Sequence, residues 1–212
     1  MLYNADWNRN LYRISSRFAP HNLYTNRKGL QAIPDSVHAK AVKGQQPIWS
    51  FAPDAPLEQR PEGGRIVVPY RYNQITYAYD RKTNTYKRSV SVEGKQVDAA
   101  SDVRIAPKNV IVMLMDFHPL NDGSHKNRQE AQFIGEGRAF VFTNGKRIKG
   151  TWQKNKITGP TRFFDADGKP VTLTVGQTFI QVLDLGSTVT YKKGKAPPDA
   201  TASASPTPTP TP

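Results

Sequence analysis

The chain has no cysteine in its 212 residues, which excludes disulfide staples, thiolate nucleophiles and cysteine-built zinc sites. Histidine occurs only four times, and 17 acidic residues face 30 Lys and Arg. No apolar run approaches the ~18 residues that a membrane-crossing helix needs, so no transmembrane segment is expected. No Ser lies in a Gly-x-Ser-x-Gly elbow, and no glycine-rich loop ends in Lys-Ser or Lys-Thr. Neither an RNA-recognition signature nor a Cys/His finger is present, so specific nucleic-acid binding is not expected. Met1 is followed by neither a basic nor an apolar leader region, and no signal peptide is expected.

What is present is positive charge. The net charge is +13, spread along the chain with a slight tilt to the front. Clusters such as Lys146-Arg147-Ile148-Lys149 and Lys192-Lys193-Gly194-Lys195 are short and interrupted, unlike the long basic blocks of nucleic-acid tails. Dispersed charge of this kind favours loose attraction to an anionic polymer. Apolar residues make up 37%, enough for a core concentrated in part of the chain.

Three regions are expected. Residues 1–60 read as a short helical remnant plus linker. One helix is capped by Thr25 and stops near Pro34; a second is capped by Asp35 or Ser36 and ends at Gly44. Five Pro and Gly residues across 52–64 read as a linker or long loop. Residues 61–186 read as β-rich. Ile75, Tyr77 and Tyr79 alternate with polar neighbours, as do Tyr86, Arg88, Val90 and Val92, predicting a hairpin with a five-residue connection at 80–84. The apolar run Val110–Met115 predicts a strand buried on both faces. Asn144-Gly145 predicts a two-residue type I′ turn that sets Val141 opposite Ile148 and Gly137 opposite Trp152. Ala139, Val141, Ile148 and Trp152 would then face a core, and Phe140, Phe142, Arg147 and Lys149 a half-covered surface. A further hairpin is expected at Asp165–Gly168 and a last buried strand at Thr178–Leu183. Six or seven strands make the fold class α+β, mostly β: an antiparallel sheet or sandwich. Residues 187–212 read as a Thr/Pro-rich disordered tail.

These motifs resemble a known family. Ile75–Asp80, Tyr86-Lys87-Arg88, Val97-Asp98, Asn109–Val112, Gly135–Ala139, Gly150–Lys154, Pro160–Asp165 and Gly176–Ile180 are similar to the C-terminal domain of the YerB-like family. Pro20–Tyr24 resembles the close of that family's N-terminal domain. The resemblance implies a bacterial envelope lipoprotein of two domains, hence a location in the cell envelope or outside the cell. It also implies that a signal peptide, a lipid-carrying Cys and most of an N-terminal domain are missing, through a truncated reading frame or through loss. No activity comes with the resemblance.

Candidate sites are few. Arg88 shares a predicted face with Tyr86, Val90 and Val92, where an unpaired charge would be expensive. It either pairs with Asp98 or grips a carboxylate or phosphate between walls formed by Tyr77 and Tyr79. His21 and Asn22 are either a packed structural pair or part of that site. Asp116, His118 and His125, with Asp122, Arg128 and Glu130 nearby, carry the imidazole and carboxylate groups of a metal site or acid–base pair, at spacings that fit no metal signature. Asp165-Ala166-Asp167-Gly168 starts like a calcium loop but lacks the later ligands, so a turn is expected. No catalytic set and no cofactor are expected. The functional expectation is a non-enzymatic module for a protein partner or an anionic wall polymer. The alternatives are a metal-assisted or acid–base hydrolase and a nucleic-acid-associated protein.

Overall fold

The computed structural model describes residues 10–19, 22–36, 48–123 and 127–197. The second helix expected after Asp35, the residues His21 and His125, and the tail from Pro198 onward lie outside them. The chain divides into two units, Met1–Gln46 and Pro47–Pro212.

In the first unit β1 (Tyr12–Arg13) pairs antiparallel with β2 (Leu23–Tyr24), followed by α1 (Arg27–Ser36). The helix starts later and runs further than expected. The Thr25 hydroxyl donates to the Asn10 carbonyl at 2.7 Å, so Asn26 becomes the cap and accepts the Gly29 N–H at 2.9 Å. Pro34 falls in the last turn, where its missing N–H removes a single helical bond and does not end the helix.

The second unit continues with β3 (Ser50–Ala52), a 3-10 turn at Leu57–Gln59, β4 (Arg65–Pro69), β5 (Gln74–Asp80), β6 (Thr85–Val90) and β7 (Gly94–Lys95). After these come β8 (Asn109–Met115), β9 (Phe117–Pro119), β10 (Gln129–Ala131), β11 (Gly135–Thr143) and β12 (Lys146–Lys154). The last four are β13 (Arg162–Asp165), β14 (Thr172–Thr174), β15 (Thr178–Asp184) and β16 (Thr190–Lys192). One five-stranded sheet runs β16-β4-β5-β6-β7 and is antiparallel throughout. The other runs β13-β12-β11-β8-β15 and is antiparallel except where β15 lies parallel to β8. A short parallel ladder of β14 and β3 and a β9–β10 hairpin complete the unit. The mostly β, mostly antiparallel class is as read from the sequence.

Every residue of β8 is buried, and the reason is alternation. Val110, Val112 and Leu114 enter one core with Ile66, Val68, Ile75, Tyr77, Tyr86, Phe142 and Leu183. Ile111, Met113 and Met115 enter a second with Ala139, Val141, Trp152, Phe163, Val171 and Leu173, against which Trp49 packs. The Trp152 indole N–H donates to the Leu114 carbonyl at 2.8 Å, satisfying the polar end of a ring that is 1% exposed.

The β11–β12 register is the expected one, Val141 opposite Ile148 and Gly137 opposite Trp152. Its second face is half-covered as expected, with Phe140 and Arg147 partly buried and Lys149 exposed, apart from one residue. Phe142 is fully buried because the β16-β4-β5-β6-β7 sheet covers it. The β5–β6 connection is four residues, Arg81–Asn84, because Asp80 and Thr85 still pair. Val92 does not share the Arg88 face: β6 ends at Val90, and Val92 is exposed. The Asp165–Gly168 turn forms, the Asp165 carboxylate accepting the N–H groups of Asp167 and Lys169 at 3.0 and 2.9 Å.

Two segments expected outside the β-rich body contribute strands to it. In the stretch expected as a linker, the Asp54 carboxylate takes Lys108 Nζ at 2.7 Å, and Arg60 Nε donates to the Ala55 carbonyl at 2.6 Å. Beyond Gly186, β16 pairs with β4, and Lys195 bridges to Glu62. Strands of two or three residues carry no legible period, so the described part of this unit holds more strands than the six or seven expected.

Candidate functional site

Arg88 and Tyr77 face each other across β5 and β6, as the register requires. Arg88 Nε donates to the Tyr77 hydroxyl at 3.3 Å, and the guanidinium carbon lies 4.7 Å from the centre of the Phe179 ring. The Tyr77 hydroxyl also accepts from Gln181 Nε2 at 2.5 Å, and Gln181 Oε1 takes the Tyr70 hydroxyl at 2.5 Å. The expected pairing of Arg88 with Asp98 is not made. Asp98 turns back on its own loop, accepting the Ser101 hydroxyl at 2.8 Å and the N–H groups of Ala100 and Ser101. The Ser101 hydroxyl, aided by those two N–H groups, holds its carboxyl below the usual range.

Tyr77, Tyr79 and Tyr86 are core residues, each at most 7% exposed. Burial pushes all three phenols up, Tyr79 to about 12. Asn22 is engaged locally, its Nδ2 donating to the Ile14 carbonyl at 3.2 Å and its Oδ1 accepting from Arg13 at 2.6 Å. In the other candidate cluster His118 and Glu130 pair across β9 and β10, Nε2 to Oε2, at 3.5 Å, with both side chains about half exposed. Asp116 is exposed on the strand boundary, and Asp122 pairs with Arg128 at 2.5 Å. Among the described residues no three His, Asp or Glu side chains converge as a metal site would require.

The structure instead opens a groove of about 780 Å³ at the Asn144-Gly145 turn. Positive φ at both residues, 49° and 70°, fits the type I′ geometry that this dipeptide favours. The turn is pinned on several sides. Asn144 Oδ1 accepts the Ala55 N–H at 3.2 Å and Asn84 Nδ2 at 2.7 Å. The Gly145 N–H donates to the Tyr86 hydroxyl at 2.9 Å, and the Tyr191 hydroxyl donates to the Gly145 carbonyl at 2.9 Å. Tyr79, which donates to Asn84 Oδ1 at 2.7 Å, completes the seat.

Lys146 and Arg147 follow that turn and line the groove with Tyr191, Lys193, Glu58 and Gln59. The Arg147 guanidinium carbon lies 5.0 Å from the centre of the Tyr191 ring and 5.9 Å from that of Phe140. Phe142, directly opposite Arg147 in the register, packs against the same Tyr191 ring at 5.3 Å. Among the described residues none of Lys146, Arg147 and Lys193 forms an ion pair. The groove therefore presents three uncompensated cations against the single carboxylate of Glu58, an arrangement that attracts anions. Both basic clusters are visible in the sequence, but Tyr191 and Lys193 lie beyond the last expected strand, so nothing there brings the two clusters together.

Two packed sheets around a tyrosine-rich core make this a β-sandwich domain with a basic groove at one hairpin end. Residues 66–180 match the family model described as Protein of unknown function (DUF3048), C-terminal domain, and the chain belongs to that family. The crystal structure of the YerB protein from Bacillus subtilis is similar in fold, with a TM-score of 0.68 and 20% identity over 87% of this chain. The match spans 60% of the length of that protein. A comparison with curated proteins returned no match.

Proposed function

We propose that the chain is a non-catalytic binding module of the cell envelope, holding an anionic wall polymer in the groove beside the Asn144-Gly145 turn. The observation that carries this reading is the trio Lys146, Arg147 and Lys193, in no ion pair among the described residues and gathered around one concavity of about 780 Å³. A cation that serves only solubility needs no concavity. A concave basic surface concentrates field lines and raises the local density of counter-ions.

The test is titration of an anionic polymer into the wild-type chain and into a Lys146→Gln, Arg147→Gln, Lys193→Gln variant, each at several salt concentrations. Three exposed charge contacts at roughly 0.5–1 kcal/mol apiece total about 1.5–3 kcal/mol, a ten- to hundredfold weakening. Wild-type affinity is expected to fall steeply with salt and the variant's much less so. Equal affinities, or binding that salt leaves untouched, would remove the groove from consideration. Capture of an acidic protein, with no polymer bound, would replace the polymer by a protein partner.

A further inference from the structure

We infer that the anionic polymer held in the groove continues over the free edge of β16 onto the outer face of that sheet, where Lys192 and Arg65 take its next anionic groups. The inference rests on the binding reading above and deepens it, extending the footprint from one concavity to two faces.

Among the described residues β16 is the outermost strand of its sheet. Its side chains alternate in direction. Tyr191 turns inward, against Phe142 and into the groove, so Thr190 and Lys192 turn outward. On the neighbouring strand β4, Ile66 and Val68 are 1% and 0% exposed in the core, so Arg65 turns outward as well. The register sets Lys192 directly opposite Arg65, which places their Cβ atoms about 5 Å apart on one face. Lys193, the next residue in the chain, lines the groove. One short edge therefore carries cations to both of its sides.

Packing does not account for the outer pair. Both side chains are exposed, and neither forms an ion pair among the described residues; Arg65 Nη2 donates to Thr76 Oγ1 at 3.3 Å. Like charges directly opposite one another destabilise a sheet. A lysine on an edge strand guards against unwanted strand pairing, and Lys192 alone would serve that purpose. Arg65 lies on an interior strand, where it adds repulsion without adding to the guard. Further along the same row, beyond Ala78, Lys87 has a carboxylate of its own, Asp80 at 2.6 Å. The Lys192–Arg65 end has none, and an anion between the two would give both cations a shared counter-charge. A small ligand seated in the groove cannot fill that position too. A chain can, because passing from one face of a sheet layer to the other spans about 10 Å.

The experiment measures binding of tripolyphosphate and of long-chain inorganic polyphosphate to three proteins. These are the wild-type chain, an Arg65→Gln, Lys192→Gln variant, and a Lys95→Gln, Lys169→Gln variant that removes the same charge from exposed positions outside β16 and β4. Melting curves without ligand establish that each is folded, and Lys192→Gln alone replaces the first variant if that one melts early. Tripolyphosphate, confined to the groove, is expected to bind all three proteins alike. The long chain is expected to bind the Arg65→Gln, Lys192→Gln variant about five- to thirtyfold more weakly than the wild type, the effect of two lost charge contacts on an exposed face. The Lys95→Gln, Lys169→Gln variant is expected to stay within about twofold of the wild type, because solvent screens charges that lie off the path. Long-chain affinity that survives the loss of Arg65 and Lys192, or that falls equally in the Lys95 and Lys169 control, overturns the inference while leaving the binding reading standing. Loss of binding to phosphatidylglycerol vesicles in the Arg65→Gln, Lys192→Gln variant, with polyphosphate binding intact, assigns the face to a lipid surface and likewise overturns it. Absence of binding of either polyphosphate to the wild type overturns the binding reading itself.

Discussion

Replacing Gly145 by alanine probes the seat on which the groove is built. Gly145 has φ +70°, and a Cβ there would overlap Tyr79 Cε1 and lie 2.6 Å from Cγ of Pro61. Two penalties combine. Left-handed backbone costs a non-glycine residue about 1–2 kcal/mol, and overpacking a filled site costs about 1–3 kcal/mol. Alanine recovers roughly 0.4–1 kcal/mol by restricting the unfolded chain, leaving a net loss of about 2–4 kcal/mol. Gly168 supplies the control, with φ +75° and no atom within 4 Å of the position its Cβ would take. Gly168→Ala should therefore lose only about 1 kcal/mol, the backbone penalty less the unfolded-state gain. Urea denaturation of both variants, followed by intrinsic fluorescence, measures the difference. Equal destabilisation by the two substitutions would mean that the Asn144-Gly145 turn is not wedged among Tyr79, Pro61 and Tyr86, and the account of the groove's rigidity would fail.

Two further outcomes follow from buried and paired charges. Arg88 is 9% exposed and forms no ion pair among the described residues. Arg88→Met, which fills similar space without the charge, should shift stability by less than about 1.5 kcal/mol, whereas Arg88→Ala should cost roughly 2–4 kcal/mol through the space it empties. Polymer binding should be unchanged in the folded Met variant, and its loss would return Arg88 to the list of ligand-contacting residues. Asp54 bears on acid stability: the hydrogen bond from Lys108 outweighs desolvation and lowers its carboxyl from the ordinary value, with Asn84 also contributing. A depressed folded-state value gives stability that is present above the unfolded value of about 3.9 and is lost as pH falls through the folded one. Asp54→Asn should therefore flatten the acid limb of stability against pH below about pH 4. A limb as steep as the wild type's would show that the Asp54–Lys108 contact contributes nothing there.

The strands with a clear period were legible. Ile75, Tyr77 and Tyr79 point inward as their alternation requires, and the Asn144-Gly145 turn fixed the register of its hairpin correctly. Such signals are local, because a strand's period and a turn's φ values are written in adjacent residues. What was hidden depends on distant partners. Phe142 looks half-covered beside Arg147 and Lys149 until a second sheet arrives to bury it. The stretch around Pro53 and Pro56 looks like a linker until Asp54 finds Lys108, 54 residues away. Arg88 invited a carboxylate partner by the cost of burying charge, yet a phenol and a ring took that place. The groove was hidden for the same reason, since its cations come from β12 and from the loop that follows the short, distant β16.

The placement of β8 dictates when this body can close during synthesis. Its neighbours in the sheet are β11, which emerges next, and β15, whose residues leave the ribosome about seventy positions later. Until Thr178–Asp184 has been made, one flank of the most apolar strand in the chain faces the cytosol or a chaperone with its backbone groups unmatched. Closure must then be slow and concerted, a late zipping of sequence-distant edges, and interrupted translation products ending before Asp184 should be the species most prone to clump.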